Sequence, residues 1–486
     1  MRERQRAICD GAWGRSPHRG TGVNAPRDLD ERSVAERVLE LARAASPGAD
    51  VEVAADRTRL ALTRFANSGI HQNVADDTLT VRLRVHAGGR TVSGSSTLTG
   101  TGGLRALVER TVQAVDVAPL DPGWPGVAPP APGPDAGPVD IGTCDATPAE
   151  RAERIRAFVD AAGGLETAGY CRTAHWTGAF ANSVGQSIQG ESAEVAMDGI
   201  ARRAGTDGAA RRASSRLADI DGTVLGARAA AKASAAADPV ELPPGRYEVV
   251  LEPTAVSDVL QNLAVYVFNG KMVADGRSFA ELGADQLDPS VTLIDDAPGA
   301  GSSHDLDGTP RRRLVLVERG TTVAVAHDRR TAAESGAEST GHATGMTSWG
   351  AFALHLGLEP SARASRDGEA AEVDGPVAES ATAALVAQVE RGVLVTDLWY
   401  TRVLDPKSLA ITGLTRNGVW LIEDGEVTRP LANFRFTQSY REALAPGAVL
   451  GIGAVAEQQP DSWVSARWSA PALHLANWNF TGGASG

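Results

Sequence analysis

The chain has 486 residues, enough for two or three domains, and its content of 42% hydrophobic and 22% charged residues is typical of an ordinary globular protein. A formal charge of −13 argues against general nucleic-acid binding, because neutralising phosphates requires a basic face. No run of 18 apolar residues is present, and no apolar segment follows the arginines near the start, so we expect neither a membrane span nor a signal peptide.

The first half of the chain predicts two modules joined by a linker. Residues 1–27 contain six arginines without an apolar period, which predicts a disordered leader. Residues 28–118 are predicted to form an N-terminal α+β module, with a helix around Val34–Ala42 and a second helix at Leu104–Val115. Between the helices, period-two alternation predicts four short strands: Val51–Val53, Leu60–Phe65, Leu79–Val85 and Arg90–Gly94. Proline and glycine dominate residues 119–138, so we expect an extended linker there.

A middle module, residues 139–240, is predicted to pack with the N-terminal one. A helix should begin at Thr147-Pro148, because threonine is a good N-cap and proline suits the first turn. Strands are expected at Tyr170–Trp176, Thr177–Asn182 and Glu191–Ala201, with a hairpin turn at Asn182–Gly185 and an alanine-rich helix at Gly222–Ala237.

The last module, residues 245–486, is predicted to be a larger β-rich domain. It opens with a strand at Gly245–Leu251 and a helix whose apolar face runs from Ala255 to Phe268. Two β-branched runs, Arg313–Glu318 and Thr322–Ala326, are predicted to form a hairpin around Arg319-Gly320. Further strands are expected at Gly392–Tyr400, Gly418–Glu423, Glu426–Leu431 and Trp463–Phe480, and a helix at Ser380–Glu390. The predicted fold class is therefore α+β, an antiparallel N-terminal sheet followed by this domain.

The stretch from His304 to Trp349 carries the candidate cleft residues. Gly341 and Gly345 permit close backbone approach around His342, in a loop that the preceding hairpin should hold rigidly. His304 and Asp305 stand in a turn upstream, and Asn182 stands at the earlier hairpin turn. The alternative for His342 is a hydrogen bond that pins its own loop. For His304-Asp305 and His327-Asp328, solvated turn residues are the simpler interpretation.

The order of these motifs resembles the TldD/PmbA family of metallopeptidase-related proteins. Four segments carry the resemblance: the DLDGTP turn, the arginine-rich strand, the ERG turn and STGHATGMTSW. The last segment is most like the PmbA/TldE branch. Weaker similarity extends from Asn182-Ser183-Val184-Gly185 to the closing Thr481-Gly482-Gly483, so the resemblance covers roughly residues 50–483. It implies an α+β fold and a heteromeric assembly that cleaves small or unfolded peptides.

In the TldD branch, the resemblance implies a zinc-binding HExxxH motif on the helix that follows a strand ending in Leu-Glu-Pro. The corresponding window here, Ala255–Gly270, contains no histidine, cysteine or glutamate, and no histidine in the chain is followed by glutamate. The family cysteine near the C-terminus is also missing, because the last cysteine is Cys171. We therefore expect no cofactor and no stoichiometric zinc in this chain, and zinc in a TldD-like partner.

Cys9, Cys144 and Cys171 lie far apart without CxxC spacing, which indicates neither a disulfide framework nor a Cys-rich zinc site and fits a reducing cytoplasm. Three functions remain open from sequence. The first is a TldE-like subunit without its own catalytic residues, which completes a TldD-like zinc peptidase acting on peptides. The second is a stand-alone binding or scaffold protein, for example a homodimer. The third is a tailoring enzyme that uses the cleft of the peptidase family to modify a peptide-like metabolite.

Overall fold

The computed structural model describes residues 30–134, 137–203, 205–346, 348–361, 380–461 and 466–483. The leader predicted for residues 1–27 lies outside them, as do residues 463–465 of the predicted Trp463–Phe480 strand. In the described part of the chain, no helix is both long enough and apolar enough to cross a membrane. The described residues fold as a mixed α+β structure built on two sheets.

The N-terminal domain is built on a six-stranded sheet with the order β3-β2-β1-β4-β5-β6, in which every neighbouring pair is antiparallel. Its elements are α1 (Glu31–Ala45), β1 (Asp50–Ala66), β2 (Gly69–Ala87), β3 (Arg90–Ser96), α2 (Thr101–Val115), α3 (Ile141–Cys144), α4 (Pro148–Ala161), β4 (Glu166–Asn182), β5 (Ser187–Arg203), β6 (Thr206–Ser214), a 3₁₀ turn (Leu217–Asp219) and α5 (Gly222–Ala235). The predicted N-terminal and middle modules each contribute three strands to this one sheet.

Strands β1 and β2 are longer than the sequence predicts. They form one hairpin of 17 and 19 residues, joined by Asn67 and Ser68, which adopt positive φ angles of 49° and 57°. The period-two pattern was clear only near residues 51–53, 60–65 and 79–85, because residues 69–77 are all exposed and bury neither face. The separate short strands expected there were wrong in extent, and so was the split of β4 at Trp176.

Helices cover one face of this sheet. Helices α1 and α2 pack on β1 and β2, and α4 and α5 pack on β4 to β6. The helix starts are well capped, since Asp30 accepts a hydrogen bond from Ser33 N and Thr147 forms a reciprocal capping box with Glu150. The opposite face carries Trp176 and Phe180, and it packs against the C-terminal domain at His304 and Gly308.

The C-terminal domain is built on an eleven-stranded mixed sheet. Strand β17 pairs with both β15 and β7, so part of the sheet forms a closed ring with the order β7-β12-β13-β15-β17. The elements are β7 (Gly245–Leu251), α6 (Pro253–Asn262), a π-helical turn (Leu263–Val267), α7 (Gly270–Ala274), β8 (Leu293–Asp295), β9 (Leu314–Glu318), β10 (Thr321–Thr322), α8 (Arg329–Ser335), β11 (Leu356–Leu358), α9 (Ser380–Val386), β12 (Arg391–Asp405), β13 (Ala410–Glu423), β14 (Glu426–Pro430), β15 (Phe434–Ser439), α10 (Tyr440–Ala443), β16 (Val449–Pro460) and β17 (Arg467–Gly483).

Helix α6 follows β7 directly and packs on β17 and β12. Its apolar face is almost completely buried, with Val256, Val259 and Leu260 at 3% exposure or less. Burying each such side chain contributes about 1.5–3 kcal/mol. The sequence predicted a single helix as far as Phe268, but the α-helix ends at Asn262 and a π-helical turn continues the chain.

The predicted hairpin around Arg319-Gly320 is present, and both turn residues have positive φ angles, 49° and 85°. Its second strand is only two residues long, whereas the sequence predicted five. The reason is that Ala326 bonds elsewhere: its N–H donates to Phe268 O at 2.9 Å, and its carbonyl accepts from Gly270 N at 2.8 Å. Val323 N and Ala324 N still donate to Leu316 O of β9, at 2.9 and 3.3 Å, and the chain bends away from β9 after Ala324.

Candidate functional site

The two domains meet across a cleft that charged side chains fill. On the N-terminal side, Arg212 of β6 and Arg228 of α5 each lie 3.2 Å from an oxygen of Glu457 on β16. Arg211 of β6 bridges Asp198 and Asp397, at 2.9 Å each. These ion pairs join β6 and α5 to the C-terminal sheet, so the domain interface is polar and fixed by direction-specific contacts.

Helix α6 lines this cleft with amide and hydroxyl groups. Thr254 Oγ1 donates to Gln459 Oε1 at 3.2 Å, and Gln261 Nε2 donates to Asp461 Oδ2. The only acid of the window, Asp258, accepts hydrogen bonds from Thr401 Oγ1 at 2.7 Å and Tyr440 OH at 2.8 Å. Burial raises the pKa of Asp258 to about 6, although these two hydroxyl bonds act to lower it.

These residues do not fit the zinc ion that the resemblance implies for TldD. Zinc needs a set of imidazole, thiolate or carboxylate ligands around one point, and the window 255–270 offers only the Asp258 carboxylate. That carboxylate is already satisfied by Thr401 and Tyr440, and the opposite side of the helix is packed into the core. The helix is therefore built for packing and for contacts across the cleft, and we derive no metal-dependent step at this position.

The loop that carries His342 lies inside the protein. His342 has no exposed surface, its Nδ1 lies 2.9 Å from Thr340 Oγ1, and its Nε2 lies 3.5 Å from Asp295 Oδ1. Burial alone would raise the pKa of Asp295, but His342, His355 and Arg311 together hold it well below the ordinary value. His342 is thus the neighbour of a buried carboxylate, which is the geometry expected of a residue that pins its loop.

The glycines of this loop approach protein atoms. Gly341 has a φ of 78° and a Cβ there would lie 2.9 Å from Pro310 O, while Gly345 has a φ of 72° and a Cβ would lie 2.7 Å from Leu306 Cδ1. The loop therefore packs on the turn that contains Asp305. Gly345 also lines a pocket of about 220 Å³ between the domains.

His304 and Asp305 are buried in that turn. Asp305 accepts hydrogen bonds from Asp307 N, Thr309 N and Ala343 N, at 3.0, 2.9 and 2.9 Å, and burial raises its pKa to about 7. His304 lies against Trp176, with 5.6 Å between ring centroids, and burial lowers its pKa to about 4. The solvated-turn alternative for these two residues is wrong, because they are 7% and 3% exposed.

Asn182 organises the β4–β5 turn. Its Oδ1 accepts from Val184 N and Gln186 N, at 3.1 and 3.0 Å, and its Nδ2 donates to Ala128 O at 2.7 Å. Gln186 in turn donates to Gly308 O at 2.9 Å. The structure therefore brings the Asn182 turn, the Asp305 turn and the His342 loop into one interdomain region, where each has structural partners.

Sequence reasoning missed a groove on the other side of Asp295. It has a volume of about 350 Å³ and lies between the end of β6 and strands β8, β11, β16 and β17. His355 lines it, donates its backbone N–H to Asp295 Oδ2 at 2.9 Å, and has a pKa that burial lowers to about 3. Arg467, Arg313 and Glu359 supply charge along the groove. No sequence motif marks these residues, because they are brought together only by strand order.

Comparison with known proteins agrees with this architecture. A sequence profile described as the PmbA/TldA metallopeptidase C-terminal domain matches residues 244–482. The chain belongs to the PmbA/TldD family. Among curated proteins, no sequence match was found.

Solved structures extend the PmbA/TldD fold over the N-terminal domain. TldE from Thermococcus kodakarensis aligns with a TM-score of 0.78 at 17% identity, over 92% of this chain and 100% of TldE. A candidate DNA gyrase modulator from Thermotoga maritima gives 0.76 at 17%, over 92% and 99%. A similar candidate from Bacteroides thetaiotaomicron gives 0.75 at 16%, over 93% and 99%. At these identities the likeness shows the fold, and the chain has this PmbA/TldD fold along nearly its whole length.

We expect His342→Ala to act on stability first. The substitution leaves the buried Asp295 carboxylate beside a cavity, so the free energy of unfolding should fall by about 3 kcal/mol. Urea unfolding measures this, with His71→Ala on the exposed part of β2 as the control. An unchanged unfolding midpoint together with a loss of activity would instead place His342 at a substrate.

Proposed function

We propose that the chain is a TldE-like subunit that has no peptidase centre of its own and completes a TldD-like zinc metallopeptidase. The single observation that supports this most is helix α6. It stands directly after Leu251-Glu252, where the resemblance implies the zinc helix of TldD, and it presents amides and one satisfied carboxylate to the cleft. The contribution of this chain is then to bind and position a peptide.

The groove beside His355 is the proposed peptide position. Arg467 can pair with a carboxylate of a peptide. Arg313 and Glu359 form an ion pair with each other at 3.2 Å, and because both side chains are exposed they can exchange it for pairs with peptide charges. Its volume of about 350 Å³ suits a few residues of an extended chain. The His355 imidazole is neutral near pH 7, because burial lowers its pKa to about 3, so it offers hydrogen bonding without a charge.

Copurification with a TldD-like protein, followed by peptide cleavage assays on each chain and on the mixture, tests the assembly. We expect association and cleavage only in the mixture. Cleavage by this chain alone would contradict the proposal. A stable homodimer that ignores the TldD-like protein would favour the scaffold function instead.

A groove-filling variant tests the peptide position. Ser215 is exposed and lines the groove, so Ser215→Trp should block peptide entry while leaving the core untouched. We expect cleavage by the mixed complex to fall at least about 10-fold, with melting temperature and association unchanged. Ser95→Trp, on β3 at the far edge of the N-terminal sheet, is the matched control. Equal cleavage by both variants would remove the groove from the substrate path.

A further inference from the structure

The N-terminal domain holds a cluster of three metal-binding side chains that the proposed function does not use. Cys144, His175 and Glu191 each place one ligand atom within 4.8 Å of the others. On the paired strands β4 and β5, Thr177 lies opposite Glu191. Side chains two residues apart on a strand point to the same face, so His175 and Glu191 lie on the same face of the sheet. Cys144 is the last residue of α3.

Helix α3 is anchored so that Cys144 stays beside the sheet. Asp140 caps the helix by accepting from Thr143 N at 2.9 Å and from Thr143 Oγ1 at 2.7 Å. Thr143 is 1% exposed, and its hydroxyl accepts from Leu217 N at 2.7 Å. These bonds fix Thr143 in the protein interior. The thiol of the neighbouring Cys144 is therefore held beside the sheet.

The surroundings of the His175 imidazole favour a bound cation. His175 is 8% exposed, its Nε2 lies 2.6 Å from Glu191 Oε1, and its Nδ1 is buried without a hydrogen-bond partner. If Nε2 carries the proton of the neutral ring, the Nδ1 lone pair is unsatisfied. If Nδ1 carries it, the Nε2 lone pair faces a carboxylate oxygen. An ion bound at Nε2 would use the lone pair that otherwise faces the Glu191 oxygen, while Nδ1 carries the ring proton, so the imidazole and the carboxylate can bind the same ion.

Two further carboxylates flank the thiol along the chain, because Asp145 follows Cys144 and Asp140 caps the same helix. Arg59 of β1 is the register partner of His175. Binding of a divalent ion would displace the thiol proton to solvent as the sulfur–metal bond forms.

We propose that Cys144, His175 and Glu191 form a zinc-binding site. Thiolate, imidazole and carboxylate ligands together select Zn²⁺ over Mg²⁺ or Ca²⁺, which prefer oxygen ligands alone. Three protein ligands leave a fourth position for water, and the half-buried Cys144 and the exposed Glu191 give the ion access. Zinc bond lengths of roughly 2.0–2.3 Å require the Cys144 sulfur to move toward the imidazole and the carboxylate, which already lie 2.6 Å apart, and the half-buried Cys144 side chain permits this.

This site lies apart from helix α6. His175 points to the helix-covered face, because its neighbour Trp176 points to the opposite face and contacts His304 of the C-terminal domain. The N-terminal sheet thus separates the cluster from the cleft. The proposal departs from the expectation of a metal-free chain, which rested on cysteine spacing and on the window 255–270, and it does not depend on the proposed function.

Zinc and cobalt titrations of the chelator-treated full chain test the proposal. We expect one Zn²⁺ per chain, a rise of melting temperature with zinc, and a thiolate-to-metal charge-transfer band with Co²⁺. Cys144→Ser should abolish the band, and Cys144→Ser and Glu191→Gln should each weaken zinc binding at least about 100-fold. Cys9→Ser is the matched control and should retain the band and the affinity.

Both ligand variants alter side chains that are not fully buried, so their zinc-free melting temperatures should match that of the unaltered chain, which shows that the fold is intact. Absence of tight zinc binding by the unaltered chain would overturn the proposal. Retention of the ion in Cys144→Ser and Glu191→Gln would also overturn it, by placing zinc elsewhere. Peptide cleavage by the mixed complex should be unaffected in Cys144→Ser, so this test and the test of the proposed function fail independently.

Discussion

Replacing Arg211 by methionine is expected to lower the free energy of unfolding by about 3–5 kcal/mol. Arg211 bridges Asp198 of its own domain and Asp397 of the other at 2.9 Å each, and the Asp397 side chain is only 3% exposed. Methionine fills much of the same volume but leaves a buried carboxylate without its cation. Asn417 Nδ2, which donates to Asp397 at 2.8 Å, cannot supply the missing charge.

An exposed ion pair in the same sheet provides the control. Arg202 lies 2.7 Å from Asp207, but its side chain is 48% exposed, so Arg202→Met should cost less than about 1 kcal/mol. Urea unfolding followed by tryptophan fluorescence and circular dichroism measures both variants. Because Arg211 joins β6 to β12, the two probes should separate in Arg211→Met as the domains uncouple. Equal losses in the two variants would show that burial of the pair contributes nothing.

Local patterns in the sequence predicted most elements of the fold. Strand β7 was predicted with its observed limits, and α4 starts at the expected cap, because periodicity and capping are properties of neighbouring residues. The first nine residues of β2, 69–77, were missed because they are exposed on both faces of the hairpin. The closure of β17 on β7 is a long-range pairing, and no local pattern encodes it.

The candidate site also combines features that local sequence predicts with features that depend on long-range contacts. The glycines beside His342 predicted close approach correctly, but sequence could not distinguish approach to a ligand from approach to Pro310 and Leu306 of the same chain. The charged interdomain contacts and the Cys144, His175 and Glu191 cluster join residues from different elements. Their residue types are visible in the sequence, whereas their proximity follows from strand register and from the anchoring of α3.

A buried carboxyl at the domain interface should make stability fall as the pH rises. Glu52 of β1 is 4% exposed, and Arg84 Nη1 donates to its Oε2 at 2.8 Å and to Asp307 Oδ1 at 2.9 Å. The second oxygen, Oε1, is buried without a partner. Burial therefore raises the pKa of Glu52 to about 8, although Arg84 acts to lower it.

The folded chain then binds a proton at Glu52 that the unfolded chain has released by about pH 5, so the stability contributed by the protonated form is lost progressively as the pH rises from about 5 to 8. Glu52→Gln keeps an acceptor for Arg84 and removes the titration. Between pH 5 and 8 the variant should lose roughly 3 kcal/mol less free energy of unfolding than the unaltered chain, and it should be the more stable protein at pH 8. Urea unfolding at one-unit intervals measures the slopes, with the exposed Glu40→Gln on α1 as control. Identical slopes in the unaltered chain and Glu52→Gln would mean that Glu52 stays ionised beside Arg84 across this range.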